Sequence, residues 1–305
     1  MDASTPKRDF PQRRFPLIIG TSARGASRHY WDGTMRAAVV GHVEWVKFLR
    51  VNRPPIPGSV MTATEAWEEA AGGGAVAAVE LARLAAKCTL FTAVGADRFG
   101  QGIAPALAAY GVGVLGPTRP AAHRHAITLL DPAGERTIVV IGPAQAPCGG
   151  EVELGALDAI YFCKGDAALV RAAREAARVL VATARILPVL QEAGVRLDAL
   201  VLSDHDASER YTPGDLDPAP TLVARTQGAD GGSWSTADGR EGRWPAATLP
   251  GPIADSYGCG DSFAAGLAFA LAQGRAIPEA LAFAAIRGAA ALCRRGVSGS
   301  QQANN

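Results

Sequence analysis

Long apolar segments and an excess of charge of either sign are both absent from this sequence. Charged residues make up 19% of its 305 residues, and the net charge is +1 at pH 7. No window approaches the roughly eighteen uninterrupted apolar residues that a membrane-spanning helix requires. A net charge near zero gives no overall field that attracts nucleic acid or an anionic membrane surface. We therefore expect neither a membrane protein nor a nucleic-acid-binding protein.

Cysteines are few and scattered, and none lies in a CxxC pair or near a histidine at metal-ligand spacing. The five are Cys88, Cys148, Cys163, Cys259 and Cys293. An odd, dispersed set indicates reduced thiols in the cytoplasm rather than a disulfide framework.

Signatures of P-loop, zincin and esterase chemistry are also absent. The segment "GVGVLG" at 111–116 fits GxGxxG, but a helix precedes it and Pro117 follows it, which argues against dinucleotide binding.

Short apolar runs alternate with helical stretches from Met35 onward. "CTLFTAVG", "LDAIYFC", "RVLVAT" and "LDALVLS" read as buried strands, and "AGGGAVAAVELARLA" as a turn followed by an amphipathic helix. This alternation predicts an α/β fold of three layers, with a mostly parallel central sheet and helices on both faces. Residues 1–34 show no periodic pattern of apolar residues. They indicate a disordered tail or a start codon assigned too far upstream. The fold would then occupy residues 35–305.

Two stretches interrupt the alternation and predict short strands and turns. One lies near residues 46–70, and the other, near 119–145, contains a hairpin around "DPAG". Both lie between elements of the main sheet. We expect them to pair into a small β-strand lid over its edge.

The stretch "DSYGCGDSFAAG" at residues 255–266 is the strongest candidate for a site. Gly258 and Gly260 allow backbone N–H groups to converge at the start of a helix, where unpaired amides and the helix dipole favour an anion. Asp261, in the same turn, can take a proton from a hydroxyl that attacks the bound anion. This arrangement suits phosphoryl transfer to an alcohol. The alternative is a capping aspartate with glycines in a tight turn.

The ordered set of motifs resembles the ribokinase-like (PfkB) carbohydrate kinase family over roughly residues 36–296. "DSYGCGD" is similar to its signature Asp-Thr-x-Gly-Ala-Gly-Asp, and "AGGGAVAAVELARL" to its glycine-rich N-terminal signature. "GERTIVV" resembles its lid hairpin, and "ARTQGADGG" its nucleotide loop. The resemblance implies a ribokinase-like fold, with Asp261 as catalytic base and Gly258, Cys259 and Gly260 as the anion hole. Cys259 stands for the usual alanine, and we interpret it as a small replacement rather than a nucleophile.

The resemblance also implies sites for the nucleotide and for metal ions. Thr226, Gly228 and Gly231 would lie along ATP, and Mg²⁺ would arrive with the nucleotide. Asp255 falls where many members hold a monovalent cation such as K⁺. The family's metal-associated Asn-x-x-Glu corresponds here to "SDHD", which offers Ser203 and Asp206.

The substrate pocket departs from the family pattern. Positions that usually carry an Asp and an Asn that bind the sugar hold Val46 and Val76 here. His42, Glu44, Gly73 and Gly74 are the remaining candidates for substrate binding. The alternative for His42 and Glu44 is an exposed residue at the end of a strand. Asp97 matches a family position and is interpreted as structural.

Arg136, in the predicted lid, has two interpretations, a substrate contact or an ion pair within the hairpin.

The sequence as a whole predicts a cytoplasmic, ATP-dependent kinase that phosphorylates a hydroxyl of a small sugar-like or nucleoside-like molecule. The alternative is a ligand-binding or regulatory protein on the same fold with impaired catalysis. Exposed lid strands also allow a homodimer formed through the lid.

Overall fold

The computed structural model describes residues 35–297 and residue 299, so the predicted tail at 1–34 lies outside the described residues. In chain order the strands are β1 (Ala37–Val40), β2 (Glu44–Arg50), β3 (Glu65–Ala71), β4 (Cys88–Phe91), β5 (Val94–Gly95), β6 (Val112–Leu115), β7 (Thr118–Arg119), β8 (His125–Leu130), β9 (Arg136–Ile141), β10 (Leu157–Phe162), β11 (Ala177–Thr183), β12 (Ala199–Ser203), β13 (Leu222–Thr226), β14 (Gly232–Thr236) and β15 (Glu241–Trp244). The α-helices are α1 (Gly73–Ala85), α2 (Arg98–Ala108), α3 (Ala167–Ala176), α4 (Leu187–Ala193), α5 (Cys259–Ala272) and α6 (Ile277–Leu292). Short 3₁₀ helices lie at Ala184–Ile186 and Gly228–Asp230.

The central sheet is mostly parallel, as the sequence predicts. Within the described residues it has nine strands in the order β15-β14-β13-β12-β11-β10-β1-β4-β6. The pairs from β13 to β6 are parallel, and β14 and β15 add an antiparallel edge. The carboxyl ends of the parallel strands therefore meet at one edge, where α/β proteins place their ligands.

Both faces of the sheet are buried beneath helices. Alternate residues of β1 point in opposite directions. Ala37 and Val39 enter one apolar core, which α1, α5 and α6 share, whereas Ala38 and Val40 enter a second core, which α3 shares. This confirms the three-layer arrangement. No helix in the described part of the chain is long and apolar enough to cross a membrane.

Helix α1 is more deeply buried than the amphipathic helix that the sequence predicts. Every residue from Gly74 to Ala82 is buried, including the charged Glu80. Because a buried carboxylate needs compensating charge, Glu80 pairs with Arg287 of α6, with Arg294 at 2.9 Å and with Arg83 at 3.6 Å. A helix packed on nearly all sides shows no polar stripe except at its ends.

A second sheet, which we call the lid sheet, has the strand order β3-β2-β8-β9. The outer pairs β2–β3 and β8–β9 are antiparallel, and β2–β8 is parallel. These strands come from the two stretches that interrupt the alternation in the sequence. Asp131 and Gly134 form the turn of the predicted hairpin between β8 and β9.

Candidate active site

Helix α5 begins at the glycine-rich turn that the sequence singles out. Gly258 caps it with φ of 74°, and a Cβ at this position would lie 2.6 Å from Val76 Cγ1. Both the backbone angle and the close packing therefore require glycine. The amide of Ser262 bonds back to the Gly258 carbonyl at 2.9 Å, which leaves the amides of the preceding turn for an anion. A Cβ on Gly260 would meet no described atom within 4 Å, so the space beside this turn is open.

Asp261 lies in the first turn of α5, and its carboxylate faces the first turn of α1. A Cβ on Gly73 would lie 2.8 Å from Asp261 Oδ1, so the absence of a side chain there makes room for the carboxylate. The Tyr161 hydroxyl donates a hydrogen bond to the same oxygen at 3.2 Å. Burial raises the pKa of Asp261, while the charge of Arg185 and the Tyr161 hydrogen bond oppose that rise. A carboxylate with a raised pKa is a better proton acceptor near neutral pH.

Arg185 is a component of the site that the sequence analysis missed. It lies in the 3₁₀ helix directly after β11 and pairs with Asp206 at 2.8 Å and with Glu209 at 2.5 Å. Its position at the carboxyl end of a parallel strand was the signal that could have identified it. Arg185 links the "SDHD" loop electrostatically to Asp261.

The predicted nucleotide and metal residues lie at the same edge of the sheet. Thr226 ends β13 and is the register partner of Ser203, which ends β12. Gly228 and Gly231 have φ of 57° and 78° in the loop that follows. Asp206 Oδ1 accepts hydrogen bonds from the backbone and hydroxyl of Ser208, which help to lower its pKa.

Asp255, the predicted ligand of a monovalent cation, is held by backbone amides on both of its oxygens. Its carboxylate is fully buried, and its two oxygens accept hydrogen bonds from the amides of Tyr257 at 2.9 Å and Gly296 at 2.8 Å. Both oxygens thus accept a backbone N–H, so the carboxylate helps to organise the loop before α5.

Arg136 contacts the loop before α5 rather than a carboxylate of its own hairpin. Its guanidinium donates to the Ser256 carbonyl at 2.5 Å and to the Ser256 hydroxyl at 3.1 Å. The lid hairpin is therefore attached to the loop that leads into α5.

The predicted substrate residues surround the start of α1. Glu44 is only 5% exposed and forms an ion pair with Arg124, at 2.7 Å, from the segment before β8. This excludes the exposed strand-end alternative for Glu44. His42 Nε2 lies 3.8 Å from Glu44 Oε1, and burial is the main cause that lowers the pKa of His42 to about 4. A Cβ on Gly74 would lie 2.5 Å from the His42 carbonyl.

The two valines differ in how much of their surface is exposed. Val46 lies on the inward face of β2 and is completely buried in the core. Only Val76, which is 6% exposed and packs beside Gly258, lies near the proposed reaction centre. Val46 and Val76 both belong to the core that α1 shares, and only Val76 keeps some exposed surface.

Two further residues are structural in their contacts. Asp97 caps α2 by accepting the Gly100 amide at 3.1 Å and also accepts the His123 amide at 3.1 Å. Burial raises the pKa of the Cys259 thiol. A raised thiol pKa disfavours a nucleophilic thiolate and supports the interpretation of Cys259 as a small replacement.

Comparison with known families identifies the group to which this fold and site belong. The model of the pfkB family of carbohydrate kinases matches residues 35–304. The chain belongs to this family. Among pfkB relatives, the ribokinase of Bacillus subtilis (strain 168) is 27% identical over 287 residues, which cover 88% of this chain and 96% of that protein.

Solved structures confirm the ribokinase-like fold. Arabidopsis thaliana ribokinase, complexed with ribose and ATP, superimposes with a TM-score of 0.67 at 18% identity, covering 87% of this chain and 95% of that one. Adenosine kinase from Sinorhizobium meliloti gives a TM-score of 0.68 at 18% identity, covering 87% and 95%.

Proposed function

We propose that this pfkB family member transfers the γ-phosphate of ATP to a hydroxyl of a small molecule. The observation that carries the proposal is the position of Asp261, whose carboxylate lies beside the open first turn of α5 and against Gly73. The family assignment and the ATP complex of Arabidopsis thaliana ribokinase support the choice of reaction and of nucleotide.

Asp261 acts as the general base in this proposal. The acceptor hydroxyl gives its proton to Asp261 as its oxygen attacks the γ-phosphorus, while the bond from that phosphorus to the β–γ bridging oxygen breaks and ADP leaves. The amides of Gly258, Cys259 and Gly260 and the α5 dipole stabilise the charge of the transferring group. Arg185 adds positive charge on the side of the "SDHD" loop.

Thr226, Gly228 and Gly231 contact the nucleotide. A Mg²⁺ ion bound with ATP would supply charge neutralisation at the phosphate oxygens. Asp206 suits a contact with this ion through water, because its lowered pKa keeps it ionised while Arg185 and Ser208 occupy its oxygens.

The acceptor binds at the start of α1, beside Glu44, His42, Gly73 and Gly74. The Glu44–Arg124 pair offers a fixed polar contact, and Val76 offers apolar surface. A hydroxyl buried without a partner costs about 1–3 kcal/mol, so an acceptor with an apolar or aromatic face toward Val76 is preferred. Nucleosides and vitamin-like alcohols fit this description better than free pentoses and hexoses.

A homodimer through the lid sheet is the assembly we propose. All six residues of the edge strand β9 are exposed, and four of them are apolar (Ile138, Val139, Val140 and Ile141). An exposed apolar edge strand is a surface suited to pairing with another chain.

The deciding experiment is a panel of sugars, nucleosides and vitamin-like alcohols assayed for ADP release with Mg²⁺–ATP. We expect turnover with at least one acceptor that carries an apolar face. Tight binding of a panel member without ADP release would instead indicate the ligand-binding alternative and contradict the proposed activity.

A further inference from the structure

Two lid arginines contact the loop that leads into the anion hole. Arg50, the last residue of β2, directs both terminal nitrogens at the Ala254 carbonyl, each at 3.4 Å. Arg136, the first residue of β9, donates to the Ser256 carbonyl at 2.5 Å. The carbonyls on either side of Asp255 therefore each accept hydrogen bonds from a guanidinium group.

The lid sheet aligns these two arginines. Arg50 pairs in register with Leu130 of β8, and Leu130 pairs with Arg136. Residues directly opposite one another on neighbouring strands point to the same face of a sheet. One row across the end of the lid sheet thus presents two guanidinium groups to the loop, of which Arg50 also pairs with Glu65 of β3 at 3.3 Å.

The loop is also held by backbone contacts. The Ser256 amide donates to the Gly134 carbonyl at 2.9 Å, and the Ala254 amide donates to the Leu292 carbonyl at 2.8 Å. The Ala254 and Ser256 carbonyls and both Asp255 oxygens therefore each accept at least one N–H. The charges of Arg50 and Arg136 act on Asp255 and oppose the approach of a further cation, because like charges repel.

We infer that Arg50 and Arg136 are positioning residues that hold the anion-hole loop and supply the positive charge beside it, so that the protein needs no monovalent cation. The inference rests on the proposed kinase function for its kinetic consequences. Its structural consequence, that K⁺ does not stabilise the protein, is independent of that function. Charge-assisted hydrogen bonds to a carbonyl are fixed by the fold and require no ion from solution.

The first measurement uses the unaltered full chain. Thermal unfolding is followed in potassium chloride and in tetramethylammonium chloride at equal ionic strength, without nucleotide. We expect the same Tm in both salts. A Tm higher in potassium by about 2 °C or more, the scale of stabilisation by a bound ion in a domain of this size, would overturn the inference. This result is obtained even if no acceptor is ever phosphorylated.

The second measurement compares variants of the arginines in the ADP-release assay. Replacing both, as Arg50→Met with Arg136→Met, should lower kcat by at least about tenfold with little change in KM for ATP, since a displaced loop misplaces the anion hole. The matched control is Arg53→Met, which removes an exposed arginine just beyond β2. Because the double variant can fail to fold, Arg136→Lys provides a second test. It should retain most of the rate, because lysine keeps the charge and a donor.

Three results would refute the positioning role. The first is a double variant with the kinetics of Arg53→Met. The second is a loss confined to KM for ATP, which would make the arginines nucleotide ligands. The third is a wild-type rate that depends on potassium. Absence of turnover in every salt and with every acceptor would contradict the proposed function instead, while the Tm comparison would still decide the cation requirement.

Discussion

Replacing the proposed base by its isosteric amide separates chemistry from structure at this site. Asp261→Asn keeps an oxygen that can accept the Tyr161 hydroxyl but cannot take a proton from the acceptor. A positioned general base contributes about 10²–10⁴-fold, so we expect kcat to fall by that factor, which corresponds to about 3–5 kcal/mol of activation free energy. KM for ATP should change little, since the amides that face the phosphate are unaltered.

The same substitution should not lower the stability of the folded protein, although it lowers the activity. Because the pKa of Asp261 is raised in the folded protein, the unfolded chain releases this proton first as the pH rises. The carboxylate therefore lowers the free energy of unfolding progressively between its unfolded pKa, near 3.9, and its higher folded pKa. At neutral pH, Asp261→Asn should unfold at the same temperature as the wild type or at a higher one.

The two assays are the initial rate of ADP release with saturating substrates and thermal unfolding at pH 7. Tyr161→Phe is the matched control, because it removes one hydrogen bond that lowers the pKa of Asp261. The acid limb of its rate profile should move to higher pH, whereas the Asn variant should lose activity at every pH. Near-normal turnover by Asp261→Asn would refute the assignment of the base. A loss of activity that tracked unfolding would remove the evidence for it.

Three further predictions concern the surroundings of this base. Gly260→Val should lower kcat/KM by an amount that corresponds to a few kcal/mol of lost transition-state stabilisation, because it fills the open space beside the first turn of α5. Gly260→Ala is the milder comparison. A normal rate would show that these amides do not bind the transferring group. Glu44→Ala should raise KM for the acceptor and leave KM for ATP nearly unchanged, with Glu44→Gln as the control for shape, and an unchanged KM for the acceptor would exclude Glu44 from the substrate site. Val139→Glu, in the exposed strand β9, should shift sedimentation from dimer to monomer at neutral pH, and a wild type that is already monomeric would contradict the proposed assembly.

The parts of the fold that were predictable are those encoded by short local patterns. The apolar runs "CTLFTAVG" and "LDAIYFC" indicated buried strands, and the structure places β4 and β10 on either side of β1, inside the sheet. The helix entrance at Gly258 was predictable for the same reason, since turn, cap and carboxylate lie within a few consecutive residues.

The unpredicted contacts depend on how distant segments meet. Nothing near Glu44 in sequence indicates that Arg124 will pair with it, because the contact requires β2 and β8 to be neighbours in the lid sheet. Val46 turns inward for the same reason, since counting along the motif does not give the register of a strand. Arg185 was missed because its partners Asp206 and Glu209 follow a different strand.

The contact between Gly73 and Asp261 has a consequence for synthesis of the chain. The glycine belongs to α1 and the carboxylate to α5, so the two are separated by 187 intervening residues and α5 can pack against α1 only after all of these have been made. Contacts between residues so distant in sequence form late in folding, because the loop between them must close first. A chain still leaving the ribosome therefore lacks the contact that joins the two groups we propose for phosphoryl transfer, until α5 can pack against α1.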